Sequence, residues 1–169
     1  MIGINIGSLN SSLAFGKSLP NQLLFKSELL LSDTSLRTSP TIISFTQTHR
    51  LIGDQASLVV KKNIKSSFQN LNRLIGFDIN SPFSQTEYNK YYYIGGEFNS
   101  QQKKFCCFGN DMLFPEEIVI SYLHLLYNSY ILEKSIEAEY FVFSVPDYFT
   151  CFHKNSFKKI IDSINLKKN

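Results

Sequence analysis

Alternating apolar and polar positions open the chain and predict an antiparallel β-hairpin. Residues 2–6 (IGINI) and 12–15 (SLAF) have the composition of strands, and the small polar residues 7–11 between them are typical of a tight turn. Residues 23–25 and 41–46 are further strand candidates, bounded by polar and proline-containing stretches. We therefore expect a meander of antiparallel strands at the beginning of the chain.

The middle of the chain has shorter patterns. Residues 53–62 and 67–75 are predicted to form short helices, which Asn63 and Gly76 respectively would end. Residues 91–94 and 105–108 are rich in aromatic residues and predict a second strand pair around the polar stretch 95–104.

A longer helix is predicted from Pro115 to about residue 134. Proline is tolerated in the first turn of a helix, and the carboxylates of Glu116 and Glu117 complement the exposed amide groups there. Adjacent helical positions point in different directions, so this first-turn role explains the two glutamates better than a pair of acid–base catalysts.

A buried strand and a last helix complete the pattern. Residues 141–145 form a continuous apolar run that predicts a buried strand, which Pro146 ends. Thr150 is a candidate N-cap of the following helix. Its apolar residues repeat every three to four positions and are Phe152, Phe157, Ile160, Ile161 and Ile164. Strands followed by helix, strand and helix indicate an α/β or α+β arrangement, and no linker divides residues 1–169.

Composition supports a single globular domain and points to no charged ligand for the chain as a whole. The 169 residues are 43% hydrophobic and 18% charged, and the net charge of +3 is too small for a dedicated nucleic-acid-binding protein. The positive charge is concentrated in residues 154–169, where five lysines oppose Asp162 for a local net charge of +4. These lysines are Lys154, Lys158, Lys159, Lys167 and Lys168.

The cysteines and histidines argue against a structural zinc site. Of three cysteines, Cys106 and Cys107 are adjacent, and the three histidines are scattered singly, so no spaced ligand pairs occur. The odd cysteine count and the absence of a basic and apolar leader predict a cytoplasmic protein. Apolar runs are far shorter than the roughly 20 residues needed to cross a bilayer, so no membrane association is expected.

Seven segments occur in the order and spacing of the ATPase domain of the heat-shock protein 70 (DnaK) chaperones. They are IGINIGSLNSSLAF, RTSPTIISFT, RLIGDQA, RLIGF, FPEEI, VPDYF and KKIIDSINL. The chain resembles the N-terminal part of lobe I of that domain, in an atypical and truncated form. The resemblance implies an α/β, actin-like or ribonuclease-H-like lobe, with a mixed sheet opened by an antiparallel hairpin and covered by helices.

The turn after the first strand is the first candidate site. Its glycine and hydroxyl groups could present donors to phosphate, although the residues by themselves favour a plain hairpin, and the turn lacks the lysine of the common phosphate-binding loop. The resemblance implies that Gly7, Ser8, Leu9 and Asn10 occupy the family's first phosphate-binding loop. Leu9 places an apolar side chain where the family has a threonine.

Two asparagines stand where the family has charged residues. The resemblance places Asn5 at the aspartate of the magnesium shell and Asn72 at the catalytic lysine. A neutral amide holds a hard cation weakly, and losing one electrostatic stabiliser typically slows such a reaction roughly 100- to 1000-fold. We therefore expect no catalytic or metal-binding residue, and solvated polar roles for both asparagines.

A partner-binding surface is predicted near the C-terminus. Pro146, Tyr148 and Lys154 match positions through which the family relays nucleotide state, and Phe157 and Ile161 belong to the apolar stripe of the last helix. The stripe would be uncovered if the rest of lobe I is missing. The alternative is that Pro146 only ends a strand and Tyr148 only packs.

These features together suggest a chaperone homologue that does not hydrolyse ATP and acts through protein partners. The candidate partners are a J-domain co-chaperone or a ribosomal component, including ribosomal RNA as the one nucleic acid expected. Ser11 and Ser12 add a similarity to the ribosome-associated homologue that pairs with zuotin-type J proteins. No cofactor is expected for the isolated chain.

Two alternatives stay open. The chain could be an ATP-binding chaperone ATPase that a second chain completes, which would require ATP and Mg²⁺. It could also be the remnant of a decaying gene.

Overall fold

In the part of the chain that the structure describes, strands form three β-sheets and helices pack against them. The structure is a computed structural model, and it describes residues 1–18, 25–32, 34–77, 86, 97–99, 101–108, 111–132, 136 and 140–164. The strands are β1 (Ile2–Ile6), β2 (Asn10–Ser18), β3 (Phe25–Leu30), β4 (Ser39–Pro40), β5 (Ile42–Phe45), β6 (Arg50–Ile52), β7 (Ser67–Gln69), β8 (Glu97–Asn99), β9 (Lys104–Phe108), β10 (Asp111–Leu113) and β11 (Phe141–Ser144). The α-helices are α1 (Gly53–Val59), α2 (Pro115–Tyr127) and α3 (Cys151–Ile164), with 3₁₀ turns at Ile64–Ser66 and Leu71–Arg73. Among the described residues, no helix is long and apolar enough to cross a membrane.

The main sheet has the strand order β11-β1-β2-β3, with β4 also paired to β2. Strands β1 and β2 form the predicted antiparallel hairpin, and β11 lies parallel to β1. The α/β class and the mixed sheet opened by a hairpin are therefore confirmed.

Helix α2 covers the buried face of this sheet. Ile2, Ile4 and Ile6 alternate along β1 and are buried, as the strand period requires. Tyr122 of α2 is fully buried, and its hydroxyl donates a hydrogen bond to Oγ of Ser11 in β2 over 2.9 Å. The helix and the hairpin thus enclose one apolar core.

The beginning of α2 agrees with the sequence, whereas its end differs. The Glu117 carboxylate accepts a hydrogen bond of 2.7 Å from the Phe114 amide, which satisfies one of the free amides at the helix start. The α-helix ends at Tyr127 and continues as a π-helical segment, Asn128–Leu132. Residue 134, the predicted end, lies outside the described residues.

The helix predicted for residues 67–75 is wrong. Residues Ser67–Gln69 instead form strand β7, which pairs with β5, and Leu71–Arg73 form a single 3₁₀ turn. Asn70 lies between them with a left-handed backbone (φ 52°), which a continuous helix could not contain. The Ser44 and Ser67 hydroxyls lie 2.8 Å apart in the interior, so cross-strand pairing determines the conformation here.

Two strand predictions lie partly outside the described residues. Strand β9 confirms the candidate at residues 105–108, but it pairs with β8 (Glu97–Asn99), and the predicted partner 91–94 lies outside the described residues. Strand β3 (Phe25–Leu30) overlaps the predicted strand 23–25 at Phe25 and extends it to Leu30, whereas residues 23 and 24 lie outside the described residues.

Strand β11 is present, but it is not buried on both faces. It pairs with β1 along one side and stands at the end of the sheet order, and its burial alternates along the strand. Val142 is 51% exposed. A continuous apolar run therefore fails to indicate full burial here, because the helices cover one face of β11, through Tyr127 against Phe141 and Phe157 against Phe143, and Val142 lies on the other face.

Helix α3 begins directly after its predicted cap. The His153 amide donates to the Thr150 hydroxyl over 3.5 Å, and that hydroxyl lies 2.7 Å from Nδ1 of the His153 ring. Phe157 and Ile160 are buried and attach the helix to the rest of the structure.

Candidate functional site

A cleft of about 330 Å³ opens where β1 and β11 end. The turn from β1 into β2 forms one wall, and its Gly7 amide donates to the Asn10 carbonyl over 3.1 Å. The residues that line the cleft are Asn5, Ile6, Gly7, Ser8, Asn72, Ser144, Val145, Pro146 and Tyr148. Residues from three separate parts of the chain thus meet at this end of the sheet.

Ser8 and Asn72 are in direct contact in the cleft. The solvated role predicted for Asn72 is wrong, because its side chain is only 2% exposed on the 3₁₀ turn Leu71–Arg73. Its Nδ2 donates to Oγ of Ser8 over 3.0 Å. The turn after β1 and the position that resembles the family's lysine are therefore joined by a neutral hydrogen bond. A buried amide would be costly to leave unpaired, so this bond holds both side chains in place.

Asn5 is paired with a residue that the sequence did not indicate. The parallel register places Asn5 beside Ser144, whose hydroxyl donates to Oδ1 of Asn5 over 2.6 Å. Ser144 is the last residue of an apolar strand, and nothing in the sequence pattern shows that β11 pairs with β1. Only the parallel pairing of β1 with β11, two strands far apart in the sequence, brings Ser144 beside Asn5.

Pro146 and Tyr148, which were predicted to bind a partner, also line the cleft. The Arg73 guanidinium stands over the Tyr148 ring, with 4.1 Å between its Cζ atom and the ring centroid. Such a cation–π contact links the 3₁₀ turn to the segment after β11. Arg73 was also not indicated as a site residue, although it follows Asn72 directly.

Two residues of the predicted phosphate-binding loop do not line the cleft. Leu9 is 72% exposed, and Asn10 begins β2, where it pairs with Pro40. The structure therefore brings only Gly7 and Ser8 of that loop into the cleft.

The predicted partner-binding residues of α3 are divided between surface and core. Lys154 is exposed and Ile161 is half-buried, whereas Phe157 is 4% exposed. The Phe157 ring packs edge-on against Phe143, with 5.6 Å between the ring centroids. Phe157 is thus a core residue that attaches α3 to the sheet, and in this structure its side chain is not available to a partner.

The turn at Gly7 gives a sharp test of the cleft geometry. A Cβ atom at position 7 would overlap the Asn10 carbonyl oxygen, whereas a Cβ at Gly3 would meet its nearest neighbour, the Ala14 carbonyl oxygen, at 3.9 Å. We expect Gly7→Ala to lower the free energy of unfolding by about 1–3 kcal/mol, because the turn must open to accept the methyl group. Urea unfolding followed by circular dichroism measures this change.

Gly3→Ala is the matched control, and its effect should stay within about 0.5 kcal/mol. Equal effects of the two substitutions would show that the turn accommodates a side chain at position 7.

The cleft does not fit a magnesium–nucleotide complex. Among the described residues that line it, none carries a carboxylate, an ammonium or a guanidinium group. Mg²⁺ is usually held by at least one carboxylate, and phosphates are usually held by positive charge as well as amide groups. The Asn5 oxygen and the Ser8 hydroxyl are already engaged by Ser144 and Asn72. The side chains that line the cleft are neutral and several are hydrogen-bonded to one another, and the one described charge beside them is the Arg73 guanidinium over the Tyr148 ring.

Comparisons with known proteins agree with the fold. A family model described as Hsp70 protein matches residues 1–163. The chain is similar to putative heat shock 70 kDa protein 7 of Homo sapiens, with 30% identity over 128 residues, which are 73% of this chain and 34% of that protein. Chaperone protein dnaK1 of Prochlorococcus marinus subsp. pastoris is 27% identical over 150 residues, 88% of this chain and 22% of its own length. Heat shock 70 kDa protein 2 of Paracoccidioides lutzii is 28% identical over 127 residues, 69% of this chain and 17% of its own length. The chain thus spans about a third or less of these relatives.

Proposed function

The chain belongs to the Hsp70 family, and from that premise we propose that it is a chaperone homologue that does not hydrolyse ATP and acts through protein partners. Its mixed sheet with packed helices is that of the N-terminal part of the family's actin-like ATPase lobe. The family binds ATP and Mg²⁺ in general and works with protein co-chaperones.

One observation supports the loss of hydrolysis. Asn5 and Asn72, at the positions of the family's magnesium-shell aspartate and catalytic lysine, bond to the neutral hydroxyls of Ser144 and Ser8. Phosphoryl transfer depends almost entirely on positioned charge, and the loss of one such charge typically costs roughly 100- to 1000-fold in rate. Because both charges are absent from the side chains of Asn5 and Asn72, these two residues can form hydrogen bonds but cannot stabilise a transferring phosphate by charge.

The partners that we propose are a J-domain co-chaperone or a ribosomal component, encountered in the cytoplasm. The exposed lysines of α3 support this proposal, because they favour acidic surfaces. The similarity of Ser11, Ser12 and the Asn5 position to the ribosome-associated homologue motivates the second partner class.

We expect the isolated chain to release phosphate from Mg-ATP only at the background rate. Isothermal titration calorimetry should likewise show no micromolar binding of Mg-ATP, because no charged group among the described cleft residues offsets the loss of nucleotide and metal hydration. Circular dichroism of the same sample verifies that the chain is folded.

Two results would contradict the proposal. Micromolar binding of Mg-ATP is one, and phosphate release that disappears on Ser8→Ala is the other. Turnover that appears only after a second purified protein is added would support the alternative, an ATPase completed by another chain.

A further inference from the structure

Another cavity, of about 450 Å³, lies between the β5–β6 hairpin and the β9–β10 hairpin. The first hairpin contributes residues 45–50 to its lining, and the second contributes residues 107, 108 and 111–113. Both stretches come from the middle of the chain, and none of these residues lines the cleft at the end of β1. The volume is in the range of cavities that bind small molecules.

The turn of the first hairpin is closed by its own hydrogen bonds. The Thr46 amide donates to the His49 carbonyl over 2.9 Å, and the Thr46 hydroxyl donates to the same carbonyl over 2.8 Å. The His49 amide in turn donates to the Thr46 hydroxyl over 3.0 Å. This wall of the cavity is therefore formed before any ligand arrives, which lowers the entropic cost of binding.

Arg50 supplies a fixed positive charge to the cavity. It pairs across the strands with Phe45, and its Cζ atom lies 5.7 Å from the centroid of the Phe45 ring. Its Nη1 donates to the Ser121 hydroxyl of α2 over 3.5 Å. The other lining residue that can become positive is His49, whose Nδ1 lies 2.6 Å from the Thr48 hydroxyl. A guanidinium has five N–H donors, so the oriented Arg50 side chain keeps donors for a carboxylate.

Asp111 supplies a negative charge from the second hairpin. It begins β10, where the register with β9 shifts between Asp111 and Met112. Asp111 is exposed, and no cation among the described residues lies within ion-pair distance of its carboxylate. Arg50 and Asp111 thus line the same cavity without pairing with each other.

The rest of the lining includes several apolar side chains. Phe45 and Cys107 are buried, and Met112 and Leu113 are half-buried. An anion alone would be repelled by Asp111, and a cation alone would be repelled by the Arg50 side of the cavity. A ligand with both charges and an apolar body satisfies all three parts of the lining.

We propose that this cavity binds a small apolar zwitterion. Its carboxylate bonds to Arg50, its ammonium group bonds to Asp111, and its apolar body covers Met112 and Leu113. Free amino acids with apolar side chains and short apolar peptides share this chemistry. The inference goes beyond the proposed function, because it uses neither the cleft nor the surface of α3.

The probes are leucine and leucylleucine, each compared with an N-acetylated form that lacks the ammonium group and an amidated form that lacks the carboxylate. We expect a zwitterion to bind the full chain at least about tenfold more tightly than either of its own derivatives, because each charged group loses a charge-assisted hydrogen bond. Tighter binding of leucine would assign the cavity to free amino acids, and tighter binding of leucylleucine would assign it to short peptides. Equal binding of a zwitterion and its derivatives, or no binding at all, would overturn the proposal.

Methionine labelling shows where the ligand binds. The sequence has two methionines, Met1 and Met112, and of these Met112 lines the cavity. In nuclear magnetic resonance spectra of the methyl-labelled protein, the zwitterion should shift the Met112 signal and leave the Met1 signal in place. The variant Met112→Leu identifies the two signals. Binding that leaves the Met112 signal unchanged would place the ligand elsewhere and overturn the proposal.

Neutral variants separate the two charged contacts. Arg50→Gln should weaken binding of the zwitterion at least about tenfold and leave binding of its amidated form unchanged, since that form has no carboxylate. Asp111→Asn should weaken the zwitterion to a similar extent without weakening its acetylated form, which has no ammonium group. Arg37→Gln and Asp147→Asn are the matched controls, because both residues are exposed and neither lines the cavity. Equal weakening by the controls, or equal weakening of all ligands by Arg50→Gln, would contradict the assigned contacts.

Inorganic phosphate tests the rival reading of the cavity as an anion site. Phosphate should bind at least about tenfold more weakly than the zwitterion, because Asp111 repels it and it has no apolar body. Phosphate binding as tight as that of the zwitterion, with the same shift of the Met112 signal, would identify an anion site and overturn the proposal.

Discussion

Phe68→Ala should lower the free energy of unfolding by about 3–5 kcal/mol, the cost of removing a fully buried phenyl ring. Phe68 in β7 has no exposed surface. Its ring packs edge-on against Phe45 of β5, with 5.8 Å between the centroids, and against Phe105 of β9, with 5.5 Å. The side chain thus joins the two smaller sheets, and truncation would leave a cavity between them.

Urea unfolding monitored by circular dichroism measures this loss. Phe152→Ala is the matched control, since Phe152 is 59% exposed and its truncation should cost less than about 1 kcal/mol. A small effect of Phe68→Ala would show that the smaller sheets are not held together through this ring. An equally large effect of Phe152→Ala would show that the loss does not depend on burial of the ring.

Tyr122 should make the protein lose stability in alkaline solution. Burial raises the pKa of the Tyr122 phenol from its usual value near 10 to about 12, an increase that the hydrogen bonds to Ser11 and Thr41 oppose and the nearby Tyr130 reinforces. The unfolded chain therefore releases this proton at lower pH than the folded chain. The stability linked to the neutral phenol is fully present below pH 10, and about 3 kcal/mol of it is lost as the pH rises to 12.

The variant Tyr122→Phe isolates this effect from the other groups that titrate in alkali. At pH 8 the variant should be less stable by about 1 kcal/mol, because it lacks the hydrogen bond to Ser11. Between pH 10 and 12 the difference should move by about 3 kcal/mol in favour of the variant, since it has no phenol to ionise. Unfolding curves at several pH values measure the difference, and a constant value across this range would rule out the linkage.

Removing the same phenol also tests how the helix is attached to the hairpin. The Ser11 and Thr41 hydroxyl oxygens lie 2.8 Å apart, so these two groups still have each other as hydrogen-bond partners when Tyr122 becomes phenylalanine. We therefore expect the neutral-pH loss to stay modest. A loss above about 3 kcal/mol would indicate that the three hydroxyl groups act as one unit.

Local sequence determined the elements whose signals lie within a few residues. The hairpin of β1 and β2 follows from apolar alternation around a small polar turn, and α2 begins at Pro115 because proline and glutamate suit a first helical turn. The cap at Thr150 is equally local. The ordered segments that resemble Hsp70 chaperones identified the family before any contact was known.

Local signals were misleading wherever pairing with distant strands decided the conformation. Gly76 is a typical end of a helix and favoured one over residues 67–75, yet Ser67–Gln69 pair with β5 and Asn70 turns the chain. Residues 141–144 are apolar enough for a buried strand, but burial depends on what covers each face of the sheet, and helices cover only the face of β11 that carries Phe141 and Phe143. The sequence shows that Phe157 belongs to the apolar stripe of α3, but only the packing of α3 against Phe143 of the sheet shows that its ring is buried.

The candidate site belongs almost entirely to the tertiary structure. The sequence determined which residues are neutral, since Asn5 and Asn72 carry no charge whatever the fold. Only the fold decides that Ser144 lies beside Asn5 and that Ser8 bonds to Asn72, because both pairs depend on contacts between distant segments.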